Sequence, residues 1–161
     1  MERQNITEEG ITAGLIGAVA IAAWFFVLDL AAGQLLATPT MLGTSLSSLV
    51  GQAPSVPAAV ITYTLFHFAI FVAIGLICAW VVNGSEKTPS VLIGFVLLVV
   101  AFEVGWIGWT AVLADRTNFG ALAWYQVFIA NLLAAGAMGM YFWRRHPALG
   151  ARLNQAIVGQ E

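Results

Sequence analysis

The chain has 161 residues, of which 60% are hydrophobic and 9% charged, and its formal net charge is −2. A soluble domain carries about 25% charged residues, so this chain cannot cover its own apolar surface and needs lipid to do so. The length suits one domain over residues 1–161, and a small acidic balance without a basic stripe argues against nucleic acid as a partner.

A helix needs about 20 apolar residues to cross the hydrocarbon core. Four stretches meet this, at about 11–36, 56–82, 89–114 and 120–143. Inside lipid every backbone group must be paired internally, which leaves helices or a closed barrel. The runs are too long for barrel strands. The expected fold is therefore all-α, a four-helix transmembrane bundle.

The first run follows the acidic segment Glu8-Glu9 and exceeds a signal-peptide core of roughly 7–15 residues, so it reads as a retained span. Gly10 and Gly14, and Ala13 and Gly17, stand at small-xxx-small spacing, which lets helices approach closely. Such a stripe serves packing inside the bundle. Gly10, Gly14 and Gly17 are also the best candidates for docking on another membrane protein, because a long connection separates this span from the rest.

Between the first and second runs, Thr38-Pro39 reads as a cap followed by a first-turn proline, and Gly51 as a stop. Leu42, Leu46, Leu49 and Val50 share one helical face, with Thr44, Ser45, Ser47 and Ser48 on much of the rest. The prediction is a short interfacial helix over about 39–50, apolar side toward lipid. Asn83-Gly84 predicts a stop for the second span and Thr88-Pro89 a start for the third. Residues 115–118 make a second tight turn, and short turns force antiparallel neighbours. Gly75 with Ala79, and Ala135 with Gly139, repeat the small-residue spacing. After Pro147 the tail can form a surface helix through Leu149, Leu153, Ala156 and Ile157.

In a four-span arrangement Arg3, Lys87, Arg144, Arg145 and Arg152 fall on one side and Arg116 on the other. The positive-inside rule then puts both termini in the cytoplasm, an N-in/C-in arrangement in a bacterial inner membrane. Trp80, Tyr141 and Trp143 mark the cytoplasmic interface, and Tyr63, Trp109, Trp124 and Tyr125 the outer one.

Each span holds one strongly polar residue: Asp29, His67, Glu103 and Asn131. At about 1.5 Å per residue, the last three fall near the midplane, whereas Asp29 sits near the outer end within reach of interfacial water. A charge at the bilayer centre costs about 2.5–3.5 kcal/mol on insertion scales, so compensation is expected. Three readings stay open: a polar knot fixing register, a proton or ion path, and a site for a cofactor, lipid or partner. A bis-histidine haem would need a second buried imidazole, while His146 follows Arg144-Arg145 at the surface. Ligation of a chlorophyll-type magnesium by His67 is disfavoured by Tyr63 one turn earlier. A metal held by His67 and Glu103 lacks further ligands. Cys78 is the only cysteine and reads as a small hydrophobe. No nucleophile set or phosphate loop appears, so an enzyme is not expected. Trp24, Trp106 and the phenylalanines of the spans suit packing, or contact with lipids, quinone, carotenoid or bacteriochlorophyll of a neighbouring complex.

The segments Tyr63-Thr64-Leu65-Phe66-His67-Phe68, Phe102-Glu103, Asn131-Leu132-Leu133-Ala134-Ala135 and Trp143-Arg144-Arg145-His146-Pro147 resemble those of small four-span bacterial membrane proteins of uncharacterised function. The resemblance covers most of the chain and implies architecture without activity. An untagged run from Met1 to Glu161 suits a subunit isolated within its native assembly. The expectation is a non-catalytic accessory subunit docking on other integral membrane subunits of a bioenergetic complex, most sharply a photosynthetic reaction-centre and light-harvesting assembly. The alternative is a small proton- or ion-coupled transporter or channel using Glu103 and His67.

Overall fold

The computed structural model describes residues 6–85 and 124–147. Among these there are four helices: α1 (Ile6–Ala31), α2 (Ala37–Ser48), α3 (Val56–Ser85) and α4 (Trp124–Arg145). Three of them, α1, α3 and α4, are long and apolar enough to cross a membrane. At 12 residues, α2 would reach only about 18 Å and cannot. The expected third span (89–114), Glu103, Trp109 and the tail helix after Pro147 lie outside the described residues.

Helix α1 starts five residues earlier than the hydropathy run, because Glu8 and Glu9 occupy its first turn and complement the positive end of its dipole. It also stops earlier, at Ala31 rather than Leu36. Gly33 takes the left-handed conformation (φ 69°). Its N–H donates to the Leu30 carbonyl at 3.0 Å, and the Gln34 N–H donates to the Asp29 carbonyl at 2.9 Å. These two bonds form a Schellman stop, which overrides the apolarity of Leu35 and Leu36. Gly51 ends α2 in the same way (φ 72°), with Gly51 N–H on Ser48 and Gln52 N–H on Ser47. Helix α3 instead continues through Asn83-Gly84, where a stop was expected. Asn83 donates its side-chain amide to the Ala79 carbonyl at 3.1 Å, so it supports the helix rather than ending it.

The buried residues of α1 (Glu9, Gly10, Ala13, Gly14, Gly17, Ala18, Ile21, Phe25 and Asp29) recur every three or four positions. This stripe meets α3 on one flank and α4 on the other. Gly10 and Gly14 cross Gly75. A Cβ on Gly75 would fall onto the Gly10 carbonyl oxygen, and one on Gly14 onto the Phe71 carbonyl oxygen. Gly17 faces the Phe71 ring and the Met138 sulfur. These glycines therefore do their close packing within the chain. Two apolar clusters complete the core. Ala13, Ala79, Val82, Met138 and Phe142 form one; Ile21, Phe25, Ala130 and Ala134 form the other.

Helix directions follow from these contacts. Gly10 meets Leu76, whereas Ala18 meets His67, so α1 and α3 are antiparallel. Trp24 meets Gln126, whereas Glu9 meets His146, so α1 and α4 are also antiparallel. Helices α3 and α4 are consequently parallel, and α3 ends at the opposite end of the bundle from where α4 begins.

Helix α2 lies on α3, but not as its polarity pattern predicts. The buried positions are Thr38, Gly43 and Ser47. A Cβ on Gly43 would collide with the backbone of Ala59. So close a seat admits only small side chains, and Ser47 turns inward. Leu49 and Val50, assigned to the lipid-facing side of the helix, stand exposed past its last turn.

Candidate functional site

Among the described residues, the buried acids and histidines are strung along α1 at three levels. At the end where α1 finishes, Asp29 is 7% exposed. One carboxylate oxygen accepts the Thr38 backbone N–H at 2.9 Å, and the other accepts the Thr38 hydroxyl at 2.7 Å. Asp29 therefore does not reach out to interfacial water. The residue at the head of α2 is Leu36, in the left-handed conformation (φ 65°) and without a side-chain capping bond. A leucine cannot accept an N–H, so the previous helix supplies the acceptor. Thr38 is thus a recipient of the cap rather than the cap itself. Pro39 remains in the first turn, where its missing N–H costs nothing. The positive end of α2's dipole stabilises the carboxylate, offsetting its unfavourable place at the C-terminal end of α1.

Midway along α1, the His67 imidazole lies within hydrogen-bond distance of the Ala18 carbonyl oxygen, with Nε2 at 3.1 Å. Tyr63 stacks on the ring, with centroids 5.5 Å apart, and Phe71 tilts against it at 4.8 Å. Because Nε2 already faces a protein oxygen, binding a pigment magnesium through that nitrogen would require this contact to open. Tyr63, expected in an outer aromatic belt, is half-buried against this ring. Asn131 follows the buried Ala130 on α4 and is itself half-buried.

At the other end, Glu9 and His146 are 4% and 2% exposed. The Glu9 Oε2 and His146 Nε2 atoms are 3.3 Å apart. Glu9 Oε1 is buried and has no hydrogen-bond partner among the described residues. A histidine assigned to the membrane surface is therefore an interior residue. The signal for it was faint: an acid in the first turn of one span, and a histidine just past the last turn of another.

The spacing of the three levels decides what they can do. Glu9 and Ala18 are nine residues apart, and Ala18 and Asp29 eleven, so they lie about 13 Å and 16 Å apart along the helix. A hydrogen bond spans about 3 Å, so these groups do not form a proton relay by themselves. Asp29 and His67 belong to separate levels rather than to one network. No cluster of three or more metal-ligating side chains occurs among the described residues.

Among the described residues, aromatic side chains mark both ends, and basic ones the end where α4 finishes. Trp80, Trp124 and Trp143 are 71%, 60% and 58% exposed. Trp143 stands with Arg144 and Arg145 in the last turn of α4, and Arg145 lies 5.7 Å from the centroid of the Tyr141 ring. Trp24, which the sequence placed within a span, is half-buried and donates its indole N–H to the Gln126 carbonyl at 3.1 Å.

No family model, curated protein or solved structure matches this chain.

Proposed function

We propose that this is a four-span membrane protein acting as a non-catalytic scaffold, an accessory subunit that docks on other integral membrane proteins through its outward helix faces. One observation carries the reading. Asp29 is committed to a helix cap, and His67 faces a backbone carbonyl. Between the charged ends, many large apolar side chains of the long helices are meanwhile exposed, Leu65, Trp80, Leu132 and Trp143 among them. Polar chemistry is spent inside, and the outside is suited to lipid and neighbouring helices.

The topology proposal is N-in/C-in, in a bacterial inner membrane. Helix α1 begins where α4 ends, and that shared end carries Arg144 and Arg145. An even number of crossings with basic flanks on the cytoplasmic side fits this arrangement.

Gentle detergent extraction, followed by mass spectrometry of co-migrating proteins, tests the proposal. Stoichiometric co-migration with integral membrane subunits is expected, and pigment-bearing subunits would sharpen the partner to a photosynthetic reaction-centre and light-harvesting assembly. Migration alone would refute it. Glu103→Gln provides a second arm in liposomes. Loss of proton-coupled flux would establish the transporter alternative, whereas a scaffold has no flux to lose.

A further inference from the structure

We infer that the corner around α2 is a lipid anchor. The bends on either side of the helix press apolar side chains into the leaflet at the end of the bundle opposite Arg144 and Arg145. This rests on the reading of the chain as membrane-spanning. The apolar surface runs without a break from one long helix to the next. Leu30 in the last turn of α1, Leu35, Leu36, Leu49 and Val50 around α2, and Val56 at the start of α3 are all between 45% and 75% exposed.

Depth places this surface at the edge of the hydrocarbon core. His67 meets Ala18. Ala59 lies eight residues before His67 on α3, and Phe26 eight residues after Ala18 on α1, so both are about 12 Å beyond that contact. Gly43 sits on the Ala59 backbone, which puts α2 at the same level. Trp24 meets Gln126, so Trp124 and Tyr125, 60% and 51% exposed, stand within about one turn of it. Exposed Trp and Tyr gather where hydrocarbon meets headgroups.

The chemistry of the corner suits lipid better than water. From residue 30 to residue 85 the sequence has no Asp, Glu, Lys or Arg. Asp29, just before this stretch, has both oxygens on Thr38. Backbone donors at the two bends are paired within the segment, those of Gly33, Gln34 and Ala37 at one and of Val50, Gly51 and Gln52 at the other. The hydroxyls of Thr44, Ser45 and Ser48 donate to carbonyls of α2 itself. Backbone that meets lipid must be satisfied from within, and both bends meet that demand. A surface without charge offers nothing to an ionic headgroup, so the contact is with acyl chains and does not select anionic lipid.

Nitroxide accessibility in the full chain tests this, in phosphatidylcholine nanodiscs and a Cys78→Ser background, Cys78 being the only cysteine. Single labels go at Leu35→Cys, Leu49→Cys and Val50→Cys. Leu65→Cys on α3 and Leu132→Cys on α4 are the mid-helix references, and all five positions are exposed. At the corner, collisions with oxygen, which partitions into lipid, are expected to exceed those with a water-soluble nickel chelate severalfold, as at the references. A reversed ratio at the corner alone overturns the anchor and leaves the membrane reading standing. Low access to both reagents also overturns it, because protein then covers the corner. If the references favour the chelate too, the membrane reading fails and the anchor with it.

Discussion

Helix α1 carries a buried carboxylate at each end, and the two are handled differently. Asp29 is matched oxygen for oxygen by a residue nine positions away, through one backbone N–H and one hydroxyl. Among the described residues, Glu9 meets a single partner 137 positions away, at 3.3 Å, and one of its oxygens has none. A short loop delivers both donors of Thr38 in a fixed geometry, so the Asp29 end is built as a rigid corner. The Glu9 end depends on two helices arriving together and retains unused hydrogen-bonding capacity. One end is thus suited to architecture and the other to change.

The largest effect should come from the seam that separates the two ends. Gly75→Leu would push a side chain into the Gly10 carbonyl and the Gly14 backbone. A backbone collision has no cheap relief, so a loss of about 3 kcal/mol or more is expected. Unfolding in mixed micelles would measure it, and both ends of α1 should loosen together.

Asp29→Ala comes next. It strands the Thr38 N–H and hydroxyl in a buried place and removes the side-chain acceptor at the head of α2. The expected cost is about 2–3 kcal/mol. Hydrogen exchange should show the loss concentrated in α2, with α4 unaffected.

Glu9→Gln should cost less, about 1 kcal/mol or below, because an amide is close in size to the acid and can keep one hydrogen bond to His146. If it proves more damaging than Asp29→Ala in the same titration, the contrast between the two ends fails. The smallest effect should be favourable. Leu36 holds a left-handed conformation that costs a leucine roughly 1–2 kcal/mol. Leu36→Gly removes that strain but adds freedom to the unfolded chain, for a net gain of a few tenths to about 1 kcal/mol. A higher midpoint in thermal unfolding would register it.

What could be read beforehand follows the same division between near and far. Long apolar runs located α1, α3 and α4 because length and hydropathy are properties of contiguous residues. Gly51 was readable as a stop for the same reason. Gly33 was passed over because Leu35 and Leu36 continue the apolar run beyond it, and hydropathy cannot see a left-handed glycine. The Thr38-Pro39 pair located the start of α2 but suggested the wrong acceptor, since capping rules look within a helix and Asp29 lies in the preceding one. Ser47 turned inward because a glycine two turns from the helix start sits against the Ala59 backbone, a contact between helices that no polarity pattern encodes. His67 was recognised as buried, but its neighbour is a main-chain oxygen, which sequence does not display. The Glu9–His146 contact joins two residues with nothing between them to announce it.

The distance between Glu9 and His146 along the chain also sets an order of events during synthesis. At about 5–20 residues per second, Thr38 follows Asp29 out of the ribosome within about two seconds. Glu9 waits on the order of 10 s for His146, while two neighbouring helices are being made. The corner at Asp29 can close while the chain is still short, but the contact at Glu9 can form only after α4 has been translated, so its closure reports that a nascent molecule has acquired α4.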